Sequence, residues 1–256
     1  MKILAIGDII GKPGRRAVKE ILPALKLGLG VDFVIANGEN AAGGKGLTPD
    51  TAEELFSYGI DVITSGNHIF AQSEIIPMLE GSAPVLRPLN YPPGVPGKGF
   101  AIVKGVLVVS LMGRTFMNTI DDPFRAMDSL LSSLDKKPNH VIVDFHAEAT
   151  SEKQGMGWFL DGRVTGVVGT HTHVGTVDAR ILPGGTACVS DIGMVGPWQS
   201  IIGDDKDDVL KRFLTGMYER LSVAKGSRII FNSVLITTNS EGKAIAVERV
   251  DREAAI

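Results

Sequence analysis

The chain holds a single cysteine, Cys188, among its 256 residues. That excludes an internal disulfide and any cysteine-rich zinc site, and leaves Cys188 as a small apolar residue for the interior. Although 44% of the residues are hydrophobic, no run approaches the roughly 20 apolar residues that a membrane-spanning helix requires. The opening "MKILAIGDII" is too short an apolar stretch for a secretory signal, and Asp8 interrupts it. A cytoplasmic protein without membrane contact is expected. The net charge of −3 is close to neutral, which argues against a nucleic-acid coat or a membrane-surface protein but not against a local positive site. Repeats, low-complexity tracts and a convincing linker are also missing. Length and composition read as one α/β domain over residues 1–256.

What the chain does contain is an alternation of short apolar runs and amphipathic segments. The runs are "KILAIGD", "DFVIANGEN", "DVITSGNH", "GVLVVSLMGR", "HVIVDFHAE", "VTGVVGTHTH" and "TACVSDIG". Most carry continuous Val, Ile and Leu, the pattern of strands covered on both faces. Between them, Thr48-Pro49 opens a helix that Gly59 stops, and Asp122-Pro123 opens another running to about Leu134. A third helix is expected from about Asp204 to Leu221, with Val209, Leu210, Phe213, Leu214, Met217 and Leu221 on one stripe. "EGSAPVLRPLNYPPGVPGKG" reads as a long surface loop. "SRIIFNSVLITTN" and "KAIAVERV", joined through "SEGK", read as a closing β-hairpin.

Chemistry-bearing residues gather where strands end. Asp8 closes the first run, Glu39 and Asn40 the second, and Asn67 and His68 the third. His146 closes a later run, and His171 and His173 follow the next. Four of the five histidines belong to this set, while His140 precedes its strand and reads as a surface residue. Ligands of open α/β sheets bind beyond the carboxyl ends of strands, where the loops converge. Singly, each residue has an ordinary reading as a turn, cap or packing residue. "GTHTH" is harder to explain that way. In an extended segment its two imidazoles project from one face, and neutral imidazole is the commonest metal ligand.

The donors are oxygen and nitrogen only, which suits manganese, iron or zinc better than copper. The set is too large for one metal with an open position and about right for two, the clamp used in displacement at phosphorus. Two carboxylates offset only half the charge of two divalent ions, so the centre would remain positive and attract an anionic phosphate ester.

In chain order, "GD", "GEN", "GNH", a histidine after a strand and "GTHTH" resemble the calcineurin-like metallophosphoesterase superfamily. More closely, "GDIIGKPGR", "ANGENAAGGKGLT", "GNHIF", "DFHAEATSEK", "VVGTHTHV" and "SDIGMVGP" resemble the YmdB-like bacterial phosphodiesterases over nearly the whole chain. Two departures from the broader superfamily fit that branch. Ile10 stands where a histidine is usual, and Glu39 replaces the bridging aspartate, with Asn40 able to supply the missing ligand. The resemblance implies a four-layer α-β-β-α sandwich of the metallo-dependent phosphatase type; the pattern alone supports α/β with a largely parallel sheet.

The resemblance further implies one metal held by Asp8, Glu39, Asn40 and His173, and a second held by Glu39, Asn67, His146 and His171. Iron or manganese is expected, with zinc as the alternative. His68 is implied as the general acid that protonates the leaving oxygen after in-line attack on phosphorus by a hydroxide bridging the metals. Each ligand histidine is expected to donate its other ring N–H to an outer acceptor, for which Asp191 is one candidate. Arg114 and the Ser151–Lys153 stretch read as surface or loop features rather than substrate contacts. "GDIIGKPG" lacks the spacing of a dinucleotide or P-loop motif. The function expected is hydrolysis of cyclic nucleotides, particularly 2′,3′-cyclic nucleotides, a small-molecule substrate. Phosphomonoester hydrolysis, and nucleotide sensing with little turnover, remain alternatives. A homo-oligomer is left open, with the Trp198 loop as one place for an interface.

Overall fold

A strand apolar at both odd and even positions must be covered on both sides, because successive side chains point to opposite faces. The first strand, β1 (Lys2–Ile6), meets this condition in the computed structural model, which describes residues 1–255. Ile3 and Ala5 face one buried cluster, while Leu4 and Ile6 face another. The same division runs through the two large sheets. One sheet has the order β14 (Ala244–Arg249), β13 (Ser233–Thr238), β1, β3 (Phe33–Asn37), β4 (Val62–Thr64). The other runs β5 (Phe100–Val103), β6 (Val106–Met112), β7 (His140–His146), β8 (Gly166–Thr170), β10 (Ala187–Val189), β9 (Arg180–Ile181).

The inner faces pack directly on each other. Ile3, Phe33, Ile35 and Val62 of the first sheet share one cluster with Val106, Val108, Ile142 and Val168 of the second. On the outer face of the first sheet, Leu4, Ile6 and Val34 meet α1 (Gly11–Leu29) through Ala17, Val18 and Leu22, and α2 (Pro49–Ser57) through Ala52 and Leu55. On the outer face of the second, Val109, Val143 and Phe145 meet Met127 and Leu130 of α4 (Pro123–Ser133) and Met156 of α5 (Thr150–Phe159). Each large apolar side chain buried this way contributes about 1.5–3 kcal/mol. The result is the expected α-β-β-α stack. A third, four-stranded sheet, β15 (Arg252–Ala255), β12 (Arg228–Phe231), β11 (Met194–Pro197), β2 (Asp8–Ile9), joins the end of the first layer.

Strands β1, β3 and β4 run parallel to one another, as do β6, β7, β8 and β10. The edges are antiparallel: β13 and β14 form the expected hairpin, and β5 and β9 flank the second sheet. "Largely parallel" therefore describes the centre of each large sheet and not its borders. The run at Arg228–Phe231 leaves the hairpin to pair with β11 and β15 in the third sheet.

Several local expectations need correction. The Pro- and Gly-rich stretch after α3 (Ile76–Glu80) is not simply a surface loop. Val85 and Leu86 are buried and bridge to Ile63 and Lys98, and Asn90 is buried with its amide on the Met112 and Asp121 carbonyls. Helix α6 (Lys206–Thr215) is shorter than the periodicity suggests, because Gly216 closes it in a left-handed cap. Only Val209 of its stripe is buried; Leu210, Phe213, Leu214 and Met217 are exposed. Helix α1 carries no side-chain cap at Ile10 and no acid in its first turn, and its Pro13, Gly14 and Pro23 disguise it as loop. His140 is the first residue of β7, with Nε2 on Thr238 Oγ1 at 2.9 Å.

The predicted caps are present. Thr48 Oγ1 accepts from Thr51 N at 3.3 Å while Thr51 Oγ1 accepts from Thr48 N at 2.9 Å, a reciprocal capping box. Thr48→Ala is expected to cost about 1 kcal/mol, a fall in Tm of about 2–4 °C for a chain of this size, read by thermal unfolding with the fold otherwise intact.

Candidate active site

Parallel strands present their carboxyl ends at one edge, and the sequence-predicted residues arrive there from both large sheets. Asp8 begins β2, Glu39 and Asn40 follow β3, and Asn67 and His68 follow β4. His146 ends β7, and His171 and His173 follow β8. His146 Nε2 lies 3.1 Å from Glu39 Oε1, 3.0 Å from Asn67 Oδ1 and 3.0 Å from His171 Nδ1. His173 Nε2 lies 3.3 Å from Asn40 Nδ2 and 3.7 Å from Asp8 Oδ1. His68 Nδ1 is 2.7 Å from Asn40 Oδ1. All eight residues meet in one place. Five of them, Glu39, Asn40, His68, His171 and His173, line a cavity of 290 Å³ together with Glu148.

The three histidines His146, His171 and His173 share one wiring pattern. Each turns one ring nitrogen toward the common centre and commits the other to an outer acceptor. His146 Nδ1 meets Thr170 Oγ1 at 3.0 Å, and that hydroxyl donates to Asp144 Oδ1 at 2.7 Å. His171 Nε2 meets Glu148 Oε2 at 3.0 Å, and His173 Nδ1 donates to the Ile202 carbonyl at 2.7 Å. In the neutral ring such outer partners fix the tautomer and leave the inward nitrogen with a lone pair, the arrangement of a metal-binding imidazole. Ligand atoms of Glu39, His146 and His171 all lie within 4.8 Å of one another, close enough to hold one ion.

The electrostatics are those of a cation site. Asp8 Oδ1 is buried without a hydrogen-bond partner among the described residues. Burial pushes its carboxyl up to about 6, against the pull of His173 and His146. From its ordinary 3.8 that corresponds to about 3 kcal/mol held against the ionised form, a cost a bound cation would remove. Burial opposes ionisation of Glu39 as well, but His146 and His68 outweigh it and hold the carboxyl well below its usual range. Burial likewise disfavours the His146 cation, which Glu39, Asp8 and Asp144 nevertheless raise above the usual imidazole range. Burial and the adjacent His146 cation depress His171 to about 3.

The backbone brings the paired histidines together in an unexpected way. His171 and His173 are not in an extended segment: their φ angles are 103° and 64°, in the left-handed region that side chains avoid. Both face the centre because the chain turns at the end of β8, and strain of this kind persists only where surrounding contacts hold it. Asp191 supplies those contacts. Its Oδ2 accepts from Thr172 N at 3.1 Å and Thr172 Oγ1 at 2.8 Å, and its Oδ1 accepts from Gly193 N at 2.8 Å. It thus braces the residue between the histidines and accepts from neither imidazole, contrary to one reading of its position. Lys153 Nζ meets the same Oδ2 at 2.6 Å, with both side chains buried. Lys153 belongs to α5, so Ser151–Lys153 is a helical turn with a buried lysine and not a solvated loop. At Gly66 a side chain is sterically forbidden, since a Cβ would fall 2.0 Å from His146 Cδ2.

Residues 4–250 match the family described as YmdB-like protein. The chain belongs to the YmdB-like family. A 2′,3′-cyclic-nucleotide 2′-phosphodiesterase of Bacillus subtilis (strain 168) is 46% identical over 98% of this chain and 96% of its own length. Among solved structures, a hypothetical protein from Thermus thermophilus superposes with a TM-score of 0.93 at 46% identity, covering 99% of this chain and 100% of that one. A phosphatase of Mycoplasma pneumoniae superposes with a TM-score of 0.93 at 32% identity, covering 100% and 94%. This YmdB-like chain is accordingly a hydrolase with the metallophosphoesterase fold.

Sequence reasoning missed Glu148, Thr170, Asp144 and Lys153, because their roles depend on contacts across strands. "DFHAE" held the one local signal, an acid two residues beyond His146. Arg114 is exposed and paired with Asp122 at 2.9 Å, as a surface arginine. Cys188 is buried, as expected.

Two outcomes follow from the brace and the charges. Lys153→Met leaves Asp191 buried and unpaired, so a loss of about 3–5 kcal/mol is expected in denaturant unfolding, partly recovered in Lys153→Met with Asp191→Asn. Asp8 and His146 both have raised folded pKa values. Their contributions to the metal-free protein are therefore present at low pH and lost as pH rises, through about 6 for Asp8 and above the ordinary 6.5 for His146. His171 and His68, whose pKa values are depressed, act in the opposite sense below their ordinary 6.5 and offset Asp8 there, so chelator-treated protein is expected to lose Tm from about pH 7 to about pH 9 as His146 deprotonates, and added Mn²⁺ to raise Tm more at the upper end, because metal ligands must be deprotonated. A metal-induced rise independent of pH would contradict the assignment.

Proposed function

We propose that this protein is a dinuclear-metal phosphodiesterase that hydrolyses cyclic nucleotides, 2′,3′-cyclic nucleotides foremost. The observation that carries the reading is the wiring of His146, His171 and His173, each with one nitrogen turned inward beside a buried carboxylate. The substrate class is supported by the 46% identity to the Bacillus subtilis protein of that name.

In this reading Asp8, Glu39, Asn40 and His173 hold one ion, and Glu39, Asn67, His146 and His171 hold the other. Iron or manganese suits the nitrogen and oxygen donors, with zinc as the alternative. The orphaned Asp8 Oδ1 beside His173 Nε2 fits the first ion, and the contacts of His146 Nε2 fit the second. Asn40 would ligate through its oxygen, so its carboxamide must turn from the orientation in which Nδ2 faces His173. When bound, two divalent ions neutralise the phosphoryl oxygens and lower the pKa of water enough to give a nucleophile near neutral pH.

His68 acts on the leaving oxygen. Its backbone N–H donates to Glu39 Oε2 at 3.0 Å, which fixes the residue against the centre. Nδ1 meets Asn40 Oδ1 in the orientation seen here, a contact given up when the carboxamide turns to an ion, and Nε2, which no described residue engages, is left to the cavity as the atom that carries the transferable proton. Burial lowers the His68 pKa, so its cation is a stronger acid than free imidazole.

Glu39→Gln is expected to abolish turnover and weaken binding of both ions. His68→Ala is expected to lower kcat by about 10²–10⁴-fold with metal content unchanged by elemental analysis. Loss of metal in His68→Ala would remove the acid role. Hydrolysis of 2′,3′-cyclic, 3′,5′-cyclic and monoester nucleotides by chelated and Mn²⁺-restored protein tests the substrate class. Preference for the monoester would make the enzyme a phosphomonoesterase, and tight nucleotide binding without turnover would make it a regulator.

A further inference from the structure

A second cavity, of 450 Å³, adjoins the catalytic one and has a different character. Lys12, Arg220 and Lys225 line it together with Gly43 and Val223, and no acidic side chain does. Lys12 and Pro13 also border a smaller cavity of 150 Å³ that continues to Arg16. All four cations are exposed, and none has an ion-pair partner among the described residues. Glu219 is paired with Lys211 at 2.7 Å and Asp208 accepts from Ser222 Oγ at 2.7 Å, while Glu20, one helical turn on from Arg16, is exposed and makes no ion pair among the described residues. In a chain of net charge −3 this is a local excess of positive charge.

The wall between the basic cleft and the catalytic cavity is thin. Gly43 lines the first and Gly44 the second, and consecutive Cα atoms lie about 3.8 Å apart. Gly11 and Gly44 pack against Val223: a Cβ on Gly44 would fall 2.5 Å from Val223 Cγ2. An anion confined to the catalytic cavity does not reach the four cations. A polymer with a phosphate on each unit reaches both.

Resting on the phosphodiesterase reading, we propose that the substrate is a single-stranded oligoribonucleotide with a terminal 2′,3′-cyclic phosphate. The terminal nucleotide occupies the catalytic cavity, and the preceding phosphates lie along Lys12, Arg16, Arg220 and Lys225. Such ends form whenever a ribose 2′-hydroxyl attacks the adjacent phosphodiester and expels the next nucleotide's 5′-oxygen. The reaction that supplies this substrate is therefore an RNA cleavage of that type. Hydrolysis consumes one water, whose oxygen bonds to phosphorus as the P–O2′ bond breaks, leaving a 2′-hydroxyl and a 3′-phosphate. Chain length changes the binding and not this balance.

The test compares a 2′,3′-cyclic mononucleotide with a tetraribonucleotide bearing the same cyclic end. It uses metal-loaded wild type and two double variants, Lys12→Ala with Arg16→Ala and Arg220→Ala with Lys225→Ala. Wild type is expected to favour the tetraribonucleotide by about tenfold or more in kcat/KM. That advantage should shrink with salt, since each neutralised phosphate of a single strand contributes a slope of about −0.7 in log K against log salt. Both variants should lose most of the advantage while their mononucleotide rates stay unchanged. Equal kcat/KM for the two lengths in wild type, or variants that keep the preference, would overturn the proposal while leaving the phosphodiesterase reading intact. If neither substrate turns over, that reading fails and anisotropy with a fluorescent 3′-phosphorylated tetraribonucleotide decides for the cleft. Binding weakened about tenfold in the variants supports it, and unchanged binding overturns it.

Discussion

Glu39 is buried at 1% exposure, and a carboxylate cannot keep its charge in such a place without opposite charge or donors around it. His146 at 3.1 Å and the His68 backbone N–H at 3.0 Å supply that compensation. Satisfying Glu39 in turn constrains its neighbours. His146 must be held by Thr170 and Asp144, Gly66 must lack a side chain so that the imidazole can lie against it, and Asn67 must end β4 within reach. Much of the buried polar network between the two large sheets serves this one charge. Asp144 shows how far the effect extends, taking hydrogen bonds from Thr64, Thr170 and Asn37 at the interior edge of the sandwich.

Asp8 is the contrasting case. One of its oxygens accepts from His171 N at 3.1 Å, while the other has no hydrogen-bond partner among the described residues. Buried polar atoms without partners are rare because each costs about 1–3 kcal/mol. An unpartnered oxygen beside His173 is what a cation would satisfy, and it sets Asp8 apart from the paired network around Glu39. The left-handed backbone at His171 and His173 belongs to the same arrangement. The buried Lys153–Asp191 pair opposes the strain through Thr172, the residue between the two histidines.

Charge is also organised on a larger scale. The cavity at the strand ends carries acids and imidazoles, and the adjoining clefts carry four cations, three in the larger and Arg16 in the smaller, with the Gly43–Gly44 turn and Val223 in the wall between. Both glycines have positive φ, 66° and 94°, which lets the loop fold tightly between the two cavities. A mildly acidic protein can thus present separate surfaces to one anionic chain, since local potential and net charge are independent quantities.

Strand runs, the Thr48 and Asp122 caps, and the placing of eight polar residues after strands were all legible in the sequence, because each depends on residues a few positions apart. The α-β-β-α order was implied by the family resemblance, whereas the runs apolar on both faces supported only α/β with a largely parallel sheet. The exposed stripe of α6 was not, since Gly216 and the absence of a packed partner outweigh periodicity. Nor was the geometry of "GTHTH", where local alternation suggests extended backbone but φ is positive at both histidines. Glu148 against His171, Lys153 under Asp191, and the meeting of Lys12 with Arg220 and Lys225 join residues 23 to 213 positions apart. The sequence by itself determined which side chains stand at strand ends and that they are metal-ligand types. Only the tertiary structure decided which nitrogen each histidine turns inward, which carboxylate is left unpaired and which cations share a cleft, because those outcomes depend on how parallel strands from two sheets converge.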